Sequence, residues 1–410
     1  MKYALIGGHL SHSFSPRVHS LLGDYEYCLC ELECEEFDAF MRAKDFEGIN
    51  VTVPYKREVI PYLDYIDPLA REIGAVNTVV NRGGKLYGYN TDFIGFRKTL
   101  LKLCPDVSGK KALVLGTGGA AHTAYRVLCD MGADVRYVSR NPRGDMLGYD
   151  EAQKCTDAEL LVNATPCGMY PDNPNSPIDL SGLCNLKYLI DLIYNPLRTA
   201  LAIDARSRGV KTACGLYMLV CQAVGAYELF FDKKAPEGTE ECIYNKLLRE
   251  KENVVLIGMP SSGKSTVGAA LADRLGRDFF DTDSLFTEKT GLAPDEYIRA
   301  NGEESFRDIE SEIIKAVSVR QCSVISCGGG SVLREDNVAS LRQNGRIYYL
   351  DRPLDALAAT PDRPLSDSAE KLEKLYLQRK DIYESVCDVC VDGTLCVEGI
   401  VDFIASEIKG

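Results

Sequence analysis

Residues 254–266 have the sequence VVLIGMPSSGKST, and this stretch decides how the rest of the chain is interpreted. Residues 254–257 form a short apolar run that suits a buried strand. Residues 258–265 match G-x-x-x-x-G-K-[ST], and residues 266–275 carry apolar side chains at helical spacing. A strand, a glycine-rich loop and a helix in this order predict a site for the phosphates of a nucleoside triphosphate. The alternative is a Gly/Ser turn that only opens a helix.

Each residue type of this loop has a chemical role in such a site. Backbone N–H groups of the loop and of the helix N-terminus point towards anionic oxygens, Lys264 adds a positive charge, and the Ser265 hydroxyl is a ligand for Mg²⁺. The predicted contacts with ATP are Gly258, Ser261, Ser262, Gly263, Lys264, Ser265 and Thr266.

The bulk properties of the chain limit the number of domains and the kinds of partner. A length of 410 residues exceeds what one hydrophobic core normally supports, so we expect two or three domains. A hydrophobic share of 45% and the lack of a long apolar run or signal peptide predict a soluble cytoplasmic protein. The net charge of −13 argues against nucleic acid or an anionic membrane as the main partner and leaves small molecules. The sixteen cysteines lack zinc-site spacing, and we expect them to be reduced thiols.

Three segments in the first 100 residues bring polar side chains to predicted strand ends. EGINVTVPYK (residues 47–56) places Lys56 at the exit of a strand, while residues 73–80 and 88–96 each bring an Asn-Thr pair to the end of an apolar run. Lys, Asn and Asp side chains at such ends suit a cleft that binds a polyol. The alternative for each segment alone is a capped strand or helix, with Asp92 as the N-cap of the helix that follows.

A second glycine turn lies in residues 112–132, which read as strand, turn and helix and precede another strand. Gly116, Gly118 and Ala121 fill the G-x-G-x-x-A fingerprint of a dinucleotide-binding turn. The next strand ends in arginines rather than the acid usual in NAD-binding units, which favours the 2′-phosphate of NADP. The predicted NADP(H) contacts are Gly116, Gly118, Gly119, Ala120, Ala121, Ser139, Arg140, Asn141 and Arg143.

These motifs together resemble the shikimate dehydrogenase family over residues 1–250. HSFSP, NVTVPYK, IGAVNT, GYNTD, GTGGAA, NATPCGM, YNP and MLVCQA occur in that family's order. The resemblance implies an α/β fold with a substrate lobe of about residues 1–104 plus 215–250. A Rossmann lobe of about residues 105–214 would bind NADP(H).

The resemblance also implies the activity and the roles of individual residues. Family members reduce 3-dehydroshikimate to shikimate with NADPH, and Lys56 and Asp92 would be the catalytic pair. A ketone that accepts hydride becomes an alkoxide and needs a nearby proton donor, so an ammonium group beside a carboxylate suits the chemistry. Ser13 and Ser15 would hold the substrate carboxylate. The other implied substrate contacts are Thr52, Asn77, Tyr194 and Gln222.

Residues 251–410 resemble shikimate kinase, a P-loop fold with a parallel sheet. The segments FFDTDSLF, GEESFRDIE, SVISCGGGSV, DRPLS and LQRKDIY carry this resemblance. We expect FFDTDSLF to end a strand with Asp281 and Asp283 on the same side, because they are two residues apart.

The resemblance assigns kinase roles to residues spread over these segments. Asp281 would support Mg²⁺ together with Ser265, Asp283 would accept the proton of the shikimate 3-hydroxyl group, and Arg363 would neutralise the transferring phosphoryl group. The substrate carboxylate would be held by Arg307 and Arg379, with backbone N–H groups from Gly329 and Gly330.

The two halves together predict a bifunctional enzyme that runs two consecutive steps of aromatic amino-acid precursor synthesis, as a monomer or a homodimer. A ligand-sensing regulator without turnover is one alternative, and degenerate catalytic positions would favour it. A dehydrogenase that oxidises quinate with NAD is another, and Arg140 and Arg143 count against it.

The kinase half departs from its family before the RPL motif. Relatives usually carry a longer segment there with an arginine that stacks on adenine, whereas residues 357–362 (LAATPD) are short and contain no basic residue. We therefore expect adenine to be held loosely unless another residue replaces that arginine.

Overall fold

The computed structural model describes residues 2–10, 13–170, 175–357 and 369–409. The chain divides into two compact units: Met1–Asn195 with Thr199–Leu247, and Pro196–Arg198 with Leu248–Gly410. The described residues form one six-stranded sheet and two five-stranded sheets. The predicted α/β fold class is confirmed.

The first sheet belongs to the substrate lobe of the first unit. Its strands are β1 (Tyr3–Gly7), β2 (Tyr27–Glu31), β3 (Gly48–Val51), β4 (Tyr65–Ile66), β5 (Thr78–Arg82) and β6 (Lys85–Tyr89). Its helices are α1 (Ser15–Leu22), α2 (Cys34–Ala43), α3 (Pro68–Ile73) and α4 (Asp92–Leu103), with a 3₁₀ turn at Ile60–Tyr62. The strand order is β2-β1-β3-β5-β6-β4, and β5 runs antiparallel to both β3 and β6.

The two Asn-Thr pairs lie at opposite ends of their strands. The pair at positions 77 and 78 follows the apolar residues 73–76, but it lies at the start of a strand and not after one, because α3 ends at Ile73 and Thr78 begins β5. Gly74 adopts the left-handed conformation with φ +71° and terminates the helix, as glycine commonly does. The pair at positions 90 and 91 does follow a strand, since β6 ends at Tyr89.

The second sheet is parallel and forms the Rossmann lobe. Its strands are β7 (Lys111–Leu115), β8 (Asp134–Val138), β9 (Leu160–Asn163), β10 (Tyr188–Asp191) and β11 (Lys211–Cys214), in the order β11-β10-β9-β7-β8. The helices between these strands are α5 (Gly119–Asp130), α6 (Tyr149–Ala152) and α7 (Ala200–Ser207). The helices α8 (Gly215–Phe231) and α9 (Thr239–Lys251) follow β11, in the part of the chain expected to complete the substrate lobe. A Cβ on Gly95 of α4 would lie 2.6 Å from the carbonyl oxygen of Met218, so α4 and α8 pack closely at that glycine.

The third sheet forms the second unit and is parallel, as predicted. Its strands are β12 (Asn253–Ile257), β13 (Asp278–Asp281), β14 (Ser323–Ser326), β15 (Gly345–Asp351) and β16 (Val389–Asp392), in the order β13-β14-β12-β15-β16. The helices are α10 (Lys264–Leu275), α11 (Thr282–Thr290), α12 (Pro294–Asn301), α13 (Glu303–Ser318), α14 (Glu335–Asn344), α15 (Ala369–Val386) and α16 (Val397–Lys409), with 3₁₀ turns at Ser331–Leu333 and Leu354–Ala356. Every residue of β12 is buried, so the glycine loop leaves the centre of the sheet.

None of the helices in the described part of the chain is both long enough and apolar enough to cross a bilayer.

A buried histidine makes the stability of the first unit depend on pH. His19 is fully buried, stacks on Tyr27 with ring centroids 3.7 Å apart, and contacts the Tyr25 hydroxyl group through Nδ1. Burial lowers the pKa of His19 from 6.5 to about 3. In the unfolded chain His19 takes up a proton near pH 6.5, whereas in the folded chain it stays neutral. The stability that neutral His19 provides is therefore present above pH 6.5 and is lost as the pH falls from about 6.5 towards about 3.

We expect His19→Phe to weaken this pH dependence. Between pH 7.5 and pH 5 the unaltered protein should lose about 2 kcal/mol more unfolding free energy than the variant, because one pKa unit corresponds to about 1.4 kcal/mol. Calorimetric melting of the full chain at both pH values measures the difference. The exposed His9 gives the control His9→Gln, which should melt like the unaltered chain. Equal pH dependence for His19→Phe and the unaltered chain would contradict this account.

Candidate active sites

Lys56, in the loop after β3, forms an ion pair with Asp92, the first residue of α4 after β6. The Lys56 ammonium group donates a hydrogen bond to Asp92 Oδ2 at 2.6 Å, and the two side chains are 19% and 12% exposed. The Lys56 carbonyl accepts a hydrogen bond from the Val76 N–H at 2.8 Å, which fixes the loop after β3. The pair is thus shielded from bulk water and still open enough to reach a substrate.

The alternative role of Asp92 as a helix N-cap is wrong. Thr91 occupies the N-cap position and its side chain makes no capping bond, while Asp92 is the first residue of α4. An acidic residue in the first turn interacts favourably with the helix dipole. Its carboxylate is directed to Lys56 and not to the helix backbone.

A buried hydrogen-bond network links Asn77 and Gln222 to Thr91, the residue before α4. Asn77 donates from Nδ2 to Thr91 Oγ1 at 3.0 Å and accepts from the Thr91 N–H at 2.7 Å. Thr91 Oγ1 lies 3.5 Å from Gln222 Oε1, and Asn50 donates to Thr78 Oγ1 at 3.0 Å. Because both ends of the Asn77 amide are held, its orientation is fixed. The sequence did not single out Asn50, although it lies inside the quoted motif NVTVPYK, and it drew attention to Thr91 only as part of the Asn-Thr pair at positions 90 and 91.

The other predicted substrate residues of the first unit lie on two neighbouring segments. The Ser15 N–H donates to Ser13 Oγ at 3.3 Å, and the Phe14 ring between them meets the Tyr194 ring edge-on at 6.1 Å. Burial raises the pKa of the Tyr194 hydroxyl group. Thr52 packs against Gly7, where a Cβ would come within 2.5 Å of Thr52 Cγ2.

The glycine turn of the Rossmann lobe faces the ion pair. A Cβ on Gly119 would lie 3.8 Å from Lys56 Cδ, which brings the turn next to the catalytic candidate. Gly116 has φ +103°, which favours glycine, and above Gly118 there is open space. The turn therefore leaves room for a bound group beside Lys56.

A cavity of about 960 Å³ extends from this turn along the Rossmann lobe. Six of the predicted NADP(H) contacts line it, and these are Gly116, Gly118, Ser139, Arg140, Asn141 and Arg143. Gly119, Ala120 and Ala121 are not among its lining residues, and Ala121 is fully buried in the core behind the turn. The lining includes side chains that the sequence did not suggest, notably Met146, Tyr149, Cys167 and Met169.

The phosphate loop of the second unit is shaped by positive φ angles. Gly258, Ser261 and Gly263 have φ of +149°, +66° and +92°. The Lys264 ammonium group is buried and donates to the carbonyl oxygens of Gly258 at 2.9 Å and Met259 at 2.8 Å. These bonds fold the lysine back over the loop and place its charge where anionic oxygens would lie.

A second cavity, of about 550 Å³, joins this loop to the predicted shikimate residues. The predicted residues that line it are Ser261, Gly263, Lys264, Ser265, Thr266, Asp281, Asp283, Arg307, Gly329, Gly330 and Arg379. Gly258 and Ser262 are not among the lining residues. Arg363 lies outside the described residues.

The expectation that Asp281 and Asp283 share one side of a strand is wrong. β13 ends at Asp281, and Asp283 lies in the first turn of α11. Asp281 Oδ1 accepts from the N–H groups of Asp283 at 3.1 Å and Ser284 at 3.0 Å, so it is the helix N-cap. Its other oxygen accepts from the Ser265 hydroxyl group at 2.6 Å. Both carboxylates line the same cavity, because Asp283 follows the capping residue Asp281 in the first turn of α11.

Arg307 is held by two glutamates of its own helix. It donates to Glu310 Oε2 at 2.6 Å and to Glu303 Oε1 at 3.0 Å, and the Ser331 hydroxyl group donates to Glu310 Oε1 at 2.8 Å. Burial lowers the pKa of Arg307, but the glutamates outweigh burial and raise it overall. The three-residue helical spacing of Arg307 and Glu310 was the available signal for Glu310.

Two family models match separate parts of the chain. The family model described as "Shikimate dehydrogenase substrate binding domain" matches residues 5–79, and the model "Shikimate kinase" matches residues 260–409. Shikimate dehydrogenase (NADP(+)) of Clostridium perfringens strain SM101 is 36% identical over 264 residues, which cover 60% of this chain and 97% of the relative. The Clostridium beijerinckii protein of the same name is 37% identical and is covered to 98%.

Solved structures show the same likeness for the first unit. Shikimate dehydrogenase 1 from Peptoclostridium difficile is 38% identical in sequence and has a TM-score of 0.56. The match spans 60% of this chain and 98% of that protein. The chorismate mutase/shikimate 5-dehydrogenase fusion protein from Clostridium acetobutylicum has the same identity and TM-score and is covered to 96%.

The two sheets with nucleotide-type loops and the two cavities define an oxidoreductase joined to a kinase. The chain belongs to the shikimate dehydrogenase family and carries a shikimate kinase domain at its C-terminal end, which makes it a bifunctional enzyme of the shikimate pathway.

Proposed function

We propose that residues 1–250 reduce 3-dehydroshikimate to shikimate with NADPH and that residues 251–410 phosphorylate shikimate at its 3-hydroxyl group with ATP and Mg²⁺. The observation that carries the reduction is the Lys56–Asp92 ion pair beside Gly119 of the glycine turn. The cavity that joins Lys264 to Arg307 and Arg379 supports the phosphorylation. Such an enzyme would work in the cytoplasm as a monomer or a homodimer.

The residues of the first unit fit NADPH and the ketone. The open glycine turn suits a pyrophosphate, and two exposed arginines on the cavity wall suit a 2′-phosphate. When bound, the dinucleotide supplies the hydride that adds to the carbonyl carbon. The Lys56 ammonium group hydrogen-bonds the ketone oxygen and gives it a proton as negative charge develops there. Asp92 accepts a hydrogen bond from the Lys56 ammonium group and so orients it.

The residues of the second unit fit Mg²⁺ and a phosphoryl acceptor. The Ser265 hydroxyl and an Asp281 carboxylate oxygen lie 2.6 Å apart, and hard oxygen donors of this kind suit Mg²⁺. The bound ion neutralises phosphate charge. Asp283 accepts the proton of the 3-hydroxyl group, Lys264 stabilises the phosphoryl oxygens, and Arg307 and Arg379 hold the substrate carboxylate.

A coupled assay on one purified chain tests the proposal. 3-Dehydroshikimate, NADPH, ATP and Mg²⁺ should give NADPH consumption and ADP formation, with shikimate 3-phosphate as the product. A ligand-sensing regulator would bind these compounds without turnover. Oxidation of quinate with NAD in preference to the reduction would favour the alternative dehydrogenase.

Cofactor choice depends on Arg140 and Arg143, which line the wall of the Rossmann cavity. We expect replacement of both with glutamine to raise the KM for NADPH tenfold or more and to change the KM for NADH little. Contacts to a charged group are each worth about 1.5–3 kcal/mol, so the loss is measurable by steady-state kinetics. Arg136→Gln on β8 is the control, because Arg136 is not among the lining residues. Equal use of NADH and NADPH by the unaltered chain would refute the assignment.

A further inference from the structure

Arg352 lies beside the phosphate loop of the second unit, directly after β15. A Cβ on Gly263 would be 3.9 Å from Arg352 Nη1, and a Cβ on Gly393 would be 3.1 Å from Arg352 Cβ. β15 is the neighbour of both β12 and β16 in the sheet. The arginine therefore stands between the residue before α10 and the turn after β16.

The Arg352 side chain has an unused hydrogen-bond donor. Its Nε atom is buried and has no hydrogen-bond partner among the described residues. Leaving a buried donor of a charged group unsatisfied is costly, so such a group points to a ligand or a functional constraint. Gly393 is also required here, because a side chain at that position would come within 2.8 Å of the Asp351 carbonyl oxygen and would press on Arg352.

The position of Arg352 relative to the cavity of about 550 Å³, which we call the acceptor cavity, indicates which part of a nucleotide it would contact. Residues 260, 261 and 263–266 of the phosphate loop line that cavity, whereas Arg352 does not. The phosphoryl group that is transferred must face the acceptor, so the nucleoside end extends away from the cavity. Arg352 Nη1 lies near Gly263 of this loop without lining the cavity, so we infer that it lies on the side of the loop towards which the nucleoside end would extend.

We propose that Arg352 binds the purine base of the nucleotide held at the phosphate loop and thereby sets nucleotide specificity. The inference rests on the proposed kinase function. A guanidinium group is planar and weakly hydrated and stacks with its flat face on aromatic rings, whereas a lysine ammonium group is a strongly hydrated point charge with no flat face. The short segment at residues 357–362 contains no basic residue that could contact the purine base. Arg352 supplies that contact instead.

Direct binding measurements on the full chain test this inference without relying on catalysis. Titration calorimetry with ADP should show about tenfold weaker binding for Arg352→Ala, whereas binding of inorganic tripolyphosphate should not change. Arg352→Lys should bind ADP as weakly as Arg352→Ala, because it keeps the charge and loses the planar face. Arg274→Ala on α10 is the control, since its partner is the surface residue Asp402, and it should bind ADP normally.

The outcomes separate this inference from the proposed function. Unchanged ADP binding by Arg352→Ala, an equal loss for tripolyphosphate, or full recovery with Arg352→Lys would each overturn the base contact. Dehydrogenase activity and shikimate affinity of the same preparations show whether the variants are folded. If the unaltered chain binds ADP through Arg352 and yet does not phosphorylate shikimate, the proposed function fails while the inference stands.

Discussion

Replacing Lys56 with methionine should abolish ketone reduction while the phosphorylation of added shikimate continues near its unaltered rate. Lys56 is the only group of the ion pair that can give a proton to the developing alkoxide, and general acid catalysis contributes about 10²–10⁴-fold to such rates. The kcat for NADPH-dependent reduction should therefore fall by at least two orders of magnitude. Both activities are measured on the same preparation.

The control for this variant is a lysine with a similar ion pair outside the site. Lys187 pairs with Glu159 at 2.7 Å and is 61% exposed, so Lys187→Met should leave both activities intact. Asp92→Asn should lower the reduction rate as well, because it removes the charge that orients Lys56. Loss of both activities in a folded Lys56→Met protein would mean that the two reactions do not use separate sites.

The two nucleotide loops could be predicted from sequence because their geometry is local. A glycine at φ +92° or +103° and the strand and helix on either side of it are adjacent in the chain. Residues 254–266 and 112–132 therefore carry both the shape and the chemistry of their sites. The parallel sheets follow from the same alternation of strand and helix.

Side chains that depend on capping or on tertiary packing could not be placed in this way. Asp281 and Asp283 are two residues apart, but a helix N-cap separates them, and the strand period does not apply. Glu310 and Ser331 meet because the turn after β14 packs against α13. Their pairing depends on a contact across 21 residues that no local pattern contains.

Arg352 shows the same limit more clearly. Residues 263, 352 and 393 are far apart in sequence and become neighbours because β15 lies between β12 and β16. Sequence reasoning therefore identified a missing base contact before the RPL motif and could not identify the residue that compensates for it. The strand order, and not the motif, brings that arginine to the phosphate loop.

Replacing Lys264 with methionine should have the opposite effect to Lys56→Met. The kinase kcat should fall by about 10²–10³-fold or more, because the loop holds the Lys264 ammonium group where it would stabilise the negative charge of the phosphoryl oxygens. Reduction of 3-dehydroshikimate should continue, since Lys56 and Gly119 belong to the first unit. ADP formation and NADPH consumption are followed on the same protein.

The Lys264 variant also has to be distinguished from a misfolded one. Lys264 is buried, so its loss leaves the carbonyl groups of Gly258 and Met259 without their donor and could loosen the loop. Arg307 and Arg379 are unchanged, and calorimetry should therefore show shikimate binding to both units with near-unaltered affinities. The surface variant Lys289→Met, whose lysine pairs with Glu312 at 2.6 Å, should keep full kinase activity. If Lys264→Met bound shikimate normally and still phosphorylated it at the unaltered rate, the glycine loop would not be the phosphate site.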